Sequence, residues 1–120
     1  DIEFPEMARL AAGLGAELLI VPTALGTKWR IVSDSLIPVR AYENGVFVAY
    51  CNFASESQPQ QGTGLSTICG PDGRPAIRAE TRPGLFTAMI DTDDIGKVRA
   101  ELTFLLDLAL MRAAHPVGET

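Results

Sequence analysis

Few side chains in this sequence could carry catalysis by themselves. The two cysteines, Cys51 and Cys69, lie in apolar runs typical of strands, and the only histidine, His115, stands next to Pro116. Nucleophilic catalysis needs a base within hydrogen-bond reach, and a metal site needs several ligands at close spacing. The spacing of these residues predicts neither arrangement. We expect two reduced, buried thiols and no metal site.

The sequence signatures of common catalytic and nucleotide-binding sites are also missing. The segment 64–68 begins like a Gly-x-Ser-x-Gly nucleophile elbow but ends in isoleucine. Neither a phosphate-binding loop ending in Gly-Lys nor a Gly-x-Gly-x-x-Gly fingerprint occurs. The residues by themselves therefore indicate no complete catalytic apparatus.

Composition narrows the possible classes of protein. The chain has 120 residues, 47% hydrophobic residues and a net charge of −5. A protein without excess Lys and Arg has no general affinity for nucleic acid or for an anionic membrane surface. The longest apolar tract, Phe104–Met111, is too short for a membrane span. We expect one cytoplasmic unit that binds neither nucleic acid nor membranes. Because it opens at Asp1, directly on a helix-start signal, we expect it to be a piece of a longer domain.

Hydrophobic periodicity predicts alternating helices and strands in the first half of the chain. Residues 5–14 repeat apolar side chains at helical spacing, and 18–21 form an unbroken apolar run typical of a buried strand. A second helix is predicted over 29–44, with a kink at Pro38. The richest β-forming run, 46–51, follows it.

The second half predicts a different pattern. It begins with a polar loop over 53–63, which is followed by three short strands joined by turns, over 65–69, 76–80 and 85–90. A helix over 93–101 and an apolar tail over 102–114 complete it. Crossover-connected strands followed by an antiparallel meander indicate an α/β fold with a mixed sheet. Helices would cover one face of the sheet, and the other apolar face would need a second sheet.

The opening residues Asp1–Glu6 resemble the segment that follows the nucleophile in the nitrilase, or carbon–nitrogen hydrolase, superfamily. There the usual order is Cys-aromatic-Asp, two variable residues, and then an aromatic residue, Pro and Glu. Further matching segments follow in order to about residue 100: Leu18–Ala24, Trp29, Arg40–Asn44, Val46–Asn52, Gly64–Ser66, Gly70–Gly73 and Leu85–Asp91. The sequences of the motifs at 1–6 and 21–25 look most like those of aliphatic or stereoselective amidases.

This resemblance implies that residues 1–120 are the C-terminal half of a single domain, an α-β-β-α sandwich that is incomplete without its N-terminal half. It also implies a homodimer or higher oligomer. Family tails often pack across a dimer interface, and here the tail lacks the arginine pair common in relatives.

The resemblance further implies a Glu-Lys-Cys mechanism that uses a thioester and no cofactor. The nucleophilic cysteine is expected two residues before Asp1, and the glutamate and lysine belong to the N-terminal half. This chain alone is therefore expected to be inactive. The intact protein would hydrolyse a small carboxamide. Alternatives are a nitrilase or an N-carbamoyl amidohydrolase on the same fold, a non-catalytic scaffold, and a free-standing binding domain.

Some residues of this chain would then line or support the site. Glu3, four positions after the expected cysteine, favours a substrate that is neutral or carries an ammonium group, unless it pairs with a nearby arginine. Thr23 and Ala24, at the carboxyl end of a strand, are either small substrate-binding residues or an ordinary loop. The residues expected to give structural support are Asp1, Glu6, Arg40, Glu43 and Asn44.

Overall fold

The structure, a computed structural model, describes residues 1–116. It contains four α-helices and four strands in this part of the chain, together with one 3₁₀ turn and one π-helical turn. In chain order these elements are α1 (Pro5–Gly13), β1 (Leu18–Thr23), the 3₁₀ turn (Thr27–Trp29), the π turn (Val32–Leu36), α2 (Ile37–Asn44), β2 (Phe47–Asn52), β3 (Thr67–Cys69), β4 (Pro75–Arg78), α3 (Asp93–Glu101) and α4 (Phe104–Ala114).

The strands form one mixed sheet in the order β1-β2-β3-β4. β1 and β2 are parallel, as their helical connection requires, and the other two pairs are antiparallel. Thr23 and Asn52 are register partners, so the last residues of β1 and β2 lie side by side. This arrangement confirms the predicted α/β class and its mixed sheet.

The core lies on one face of the sheet, beneath α1 and α2. Small side chains of α1 allow close packing, and β2 contributes the most buried strand residues. The buried cluster consists of Ile2, Ala8, Ala12, Val32, Ile37, Ala41, Val46, Val48, Tyr50 and Cys69.

The opposite face of the sheet carries a second apolar row. The register places Ile20, Ala49, Ile68 and Ile77 side by side, one from each strand. Ile20 is 71% exposed, and the other three are half-buried. In the described part of the chain no layer covers this face, and residues 82–86 border the groove above it. We call these four residues the open-face row.

The second predicted helix is less regular than its apolar spacing suggests. It begins with the 3₁₀ turn that ends at Trp29 and widens to the π turn Val32–Leu36 before α2 starts. Pro38 explains the irregularity, because proline has no N–H to donate and its ring crowds the preceding turn. α2 ends where Gly45 adopts φ 59°, a left-handed conformation that glycine tolerates.

The antiparallel half corrects two predicted strands. The strand over 65–69 begins only at Thr67, because Leu65 has φ 61° and a strand cannot contain that conformation. The strand over 85–90 is wrong for the described chain: these residues pair with no strand, and Leu85 and Met89 are 91% and 95% exposed. Its β-forming residues lack a neighbouring backbone to bond, and strand propensity without a partner does not make a sheet.

Candidate active-site edge

The ends of β1 and β2 bring polar groups together at one edge of the sheet. Thr23 Oγ1 donates a 2.8 Å hydrogen bond to Asn52 Oδ1. In α/β sheets, ligands bind beyond the carboxyl ends of parallel strands. Ala24 follows directly and is exposed, while Thr23 is half-buried. Two of the three residues predicted to bind substrate, Thr23 and Ala24, therefore lie at the edge where a ligand would approach.

Asn52 organises this edge and was not predicted from the sequence. Its Oδ1 also accepts from the backbone N–H of Leu25 at 2.7 Å, and its Nδ2 donates to the carbonyls of Leu25 and Gly64 at 2.9 and 3.0 Å. The available signal was an amide residue at the end of an otherwise apolar strand. Because Leu25 and Gly64 lie on different loops, the side chain joins both loops to β2.

The polar loop 53–63, predicted as a functional candidate, packs against the loop that follows β1. Thr27 N–H donates to the Pro59 carbonyl at 3.2 Å, and Thr63 N–H donates to the Leu25 carbonyl at 3.0 Å. A Cβ at Gly26 would lie 1.8 Å from the Gln60 carbonyl oxygen. Only glycine allows this approach, so the two loops form one unit at the edge.

The first residues of the chain are held by a buried arginine. Arg40 is 5% exposed, and its Nε and Nη2 donate to the carbonyls of Ile2 and Glu3 at 2.9 and 3.1 Å. Its Nη1 pairs with Glu43 Oε1 at 3.2 Å. Asn44 Nδ2 in turn donates to the Arg40 carbonyl at 2.8 Å. The planar guanidinium thus ties α2 to the segment that would follow the nucleophile.

The other predicted support and binding residues of this segment are exposed. Asp1, Glu3 and Glu6 all lie at the surface, and Glu6 occupies the first turn of α1, where the helix dipole favours a negative charge. The Asp1 carbonyl accepts a 3.0 Å hydrogen bond from Phe4 N–H, which closes a turn. The structure thus gives Asp1 a role through its backbone.

Tyr50 is a buried phenol on β2. Burial raises the pKa of the Tyr50 phenol above its ordinary value, the Thr23 hydroxyl opposes that rise, and the charge of Glu3 adds to it. A cavity lined by Asp1 and Ile2 together with the residues of β1 up to Thr23 places the opening segment beside this strand.

The two cysteines differ, and one prediction about them is wrong. Cys69 is buried as expected, and burial raises the pKa of its thiol. Cys51 is exposed, because its side chain projects to the open face, where a groove of about 430 Å³ is lined by the open-face row and neighbouring residues. Strand alternation placed it on the face that the helices do not cover.

Two further features of residues 1–116 concern ligands and membranes. Among these residues, no three His, Cys, Asp or Glu side chains converge as metal ligands would. None of the helices described there is both long and apolar enough to cross a membrane.

The mixed sheet with its helices has the fold of solved carbon–nitrogen hydrolases of the nitrilase superfamily. Residues 1–100 match the carbon–nitrogen hydrolase family, and the chain belongs to it. It is 39% identical over 107 residues to a protein of Pseudomonas protegens named hydrolase in the pqqF 5′ region. That match covers 89% of this chain and 38% of that protein. An (R)-stereoselective amidase of a Pseudomonas species is 30% identical over 123 residues, covering 98% of this chain and 45% of its own.

A solved amidase from Nesterenkonia sp. AN1 has a similar structure. The superposition gives a TM-score of 0.70 with 40% sequence identity, over 85% of this chain and 39% of that one. In that mutant structure the active-site cysteine carries the acetamide moiety of fluoroacetamide. These similarities confirm the resemblance to the superfamily and its amidases. The chain spans less than half the length of each of these relatives.

Proposed function

We propose that this chain is the C-terminal half of an amidase that converts a small carboxamide to a carboxylic acid and ammonia. The observation that carries the proposal is the clamped opening segment. Arg40 fixes the Ile2 and Glu3 carbonyls, and Asp1 and Ile2 line a cavity with β1, where a preceding cysteine would face substrate. Similarity to amidases in sequence and in structure supports the choice of a carboxamide.

The proposed reaction uses a cysteine two residues before Asp1 with a glutamate and a lysine of the N-terminal half. The glutamate takes the thiol proton, and the thiolate attacks the amide carbonyl carbon. The lysine and a backbone N–H stabilise the oxyanion. The C–N bond breaks as the glutamate returns the proton to the leaving nitrogen, which departs as ammonia. Water, deprotonated by the glutamate, then hydrolyses the thioester to the acid.

The residues described here would shape the substrate pocket and contribute no catalytic group. Thr23 and Ala24 present small side chains at the carboxyl edge, which leaves room for a short acyl group. Glu3 is exposed in the segment that would follow the nucleophile, and its charge there would disfavour a substrate carboxylate. The proposed substrate is therefore a carboxamide that is neutral or carries an ammonium group.

The N-terminal half would complete the sandwich. The open-face row leaves an apolar sheet face without a covering layer, and a contiguous exposed apolar surface normally marks a place where another layer packs. Residues 85–90, which have strand composition without a strand partner, would pair within the complete domain. The isolated chain is accordingly proposed to be inactive.

We also propose that the intact protein forms a homodimer or a higher oligomer. Large apolar side chains are exposed on the helical side of the chain, away from the open face, and these include Met7, Leu10, Val39, Tyr42 and Leu110. A patch of this kind on a folded protein commonly marks a protein interface. Sedimentation equilibrium of the full-length protein measures the assembly, and a monomer at micromolar concentration contradicts this proposal.

Ammonia release by the full-length protein tests the proposed activity. Short aliphatic carboxamides and amino-acid amides should release ammonia, and nitriles and N-carbamoyl amino acids of matched length should react much more slowly. Alanine at the expected cysteine should abolish turnover. Faster reaction with nitriles or N-carbamoyl compounds would favour those alternatives, and inactivity toward all substrates would favour a scaffold.

A further inference from the structure

The hydrogen bonds of Asn52 connect the loop after β1 to the loop after β2, at the edge where Thr23 and Ala24 would line the substrate pocket. We propose that Asn52 is a positioning residue that sets the shape of this pocket by holding the loop with Thr23 and Ala24. The inference rests on the proposed amidase function, because a pocket for the acyl group is part of that function.

The carboxamide of Asn52 uses its whole hydrogen-bonding capacity. A primary amide offers two N–H donors and an oxygen with two lone pairs. Its Oδ1 accepts from Thr23 Oγ1 and Leu25 N–H, and its Nδ2 donates to the Leu25 and Gly64 carbonyls. The residue is 6% exposed. A buried polar group that is fully satisfied specifies one arrangement of its neighbours, since any other leaves polar atoms unpaired.

The backbone of β2 adds a second point of attachment. Asn52 N–H donates to Ser66 Oγ at 2.9 Å, which joins the end of β2 to the residues just before β3. The side chain therefore projects from a strand that is held on both sides by β1 and β3. Because its anchor is rigid, Asn52 can determine where the loop after β1 lies.

The contacts of Asn52 predict which kinetic constant it controls. Its side chain bonds the loops beside the acyl group, whereas Arg40 holds the segment that would follow the nucleophile. A displaced pocket loop weakens substrate binding, and an intact nucleophile turn preserves the chemical step. Loss of Asn52 should therefore raise KM and leave kcat nearly unchanged.

Two substitutions in the full-length protein test this inference. Asn52→Ala removes all four bonds, and Asn52→Asp keeps the size and the acceptors but cannot donate to the Leu25 and Gly64 carbonyls. For propionamide we expect both variants to raise KM by about tenfold and to change kcat by less than about threefold. A folded Asn52→Asp variant with unchanged KM, or a loss confined to kcat, would overturn the inference.

Thr67→Val is the matched control, because it also removes a buried donor to a backbone carbonyl. Thr67 Oγ1 donates to the Ile77 carbonyl at 2.9 Å, within the sheet, and we expect KM to stay at the wild-type value. A similar KM increase in this variant would show that general destabilisation explains the effect and would overturn the inference.

Hydrogen exchange separates this inference from the proposed function. In the wild-type protein the Leu25 amide is bonded to Asn52 Oδ1, so its exchange should accelerate about tenfold or more in Asn52→Ala and stay slow in Thr67→Val. Unchanged exchange in Asn52→Ala contradicts the positioning role even if the protein is an active amidase. If the wild-type protein hydrolyses no amide, the proposed function fails, and with it the part of the inference that concerns a substrate pocket.

Discussion

At the scale of single residues, Arg40 shows how a buried charge can organise backbone. Its guanidinium donates to two consecutive carbonyls and also pairs with Glu43, which is partly exposed. A carboxylate at Glu43 could be mistaken for a catalytic group, since it occurs in a matching motif. Its position beside a buried arginine favours a role in charge balance, because a buried cation needs a partner.

We expect Arg40→Met in the full-length protein to lower kcat by roughly tenfold or more and to reduce the free energy of unfolding by about 1–3 kcal/mol. The Ile2 and Glu3 carbonyls would lose their donors, and the segment next to the proposed nucleophile would move. Thermal unfolding and steady-state kinetics measure the two effects. Arg74→Met is the control, because its side chain is 87% exposed. Wild-type kcat in a folded Arg40→Met variant would contradict the positioning of this segment.

At the scale of elements, the carboxyl edge of the sheet depends on how the loop after β1 packs against the loop 53–63. Gly26 lets the loop after β1 pass directly against the carbonyl of Gln60, and backbone hydrogen bonds join the loops on either side. The predicted polar loop 53–63 is therefore well ordered by its contacts, although its composition is typical of a surface loop. Its order comes from the neighbouring loop.

We expect Gly26→Ala to destabilise the protein by about 1–3 kcal/mol and to raise KM, because the new methyl group would overlap the Gln60 carbonyl. Chemical denaturation and ammonia-release kinetics test both effects. Gly96→Ala is the control: it has no heavy atom within 4 Å of the new Cβ and lies inside α3, so it should stabilise the helix by roughly 1 kcal/mol. A Gly26→Ala variant with wild-type stability and wild-type KM would show that the two loops can separate freely.

At the scale of the whole molecule, the chain has one covered and one open sheet face. The open-face row is apolar, and several strongly exposed residues follow it in the segment 85–90. Solvent contact with such surfaces is unfavourable, and β1 and β4 also present free strand edges in the described chain. Both features are expected of half a domain.

Residues 1–120 expressed alone should therefore aggregate, and co-expression with the N-terminal half should give a soluble complex. Gel filtration and pull-down measure both outcomes. The double substitution Ile20→Lys and Ile77→Lys should improve the solubility of the isolated chain and prevent assembly with the other half, because charges would occupy the open face. A soluble monomer of residues 1–120 with a cooperative thermal transition would contradict the proposal of half a domain.

The sequence by itself determined the order of the elements apart from the strand over 85–90, together with the α/β class, the family and the apolar character of both faces of the sheet. These properties follow from local periodicity and from motifs whose residues are close in the chain. Only the tertiary structure decided the role of Asn52, the exposure of Cys51 and the absence of a strand over 85–90 in the described chain. Each depends on partners far along the chain, and a hydrogen bond, a covered face or a neighbouring strand exists only after the chain has folded.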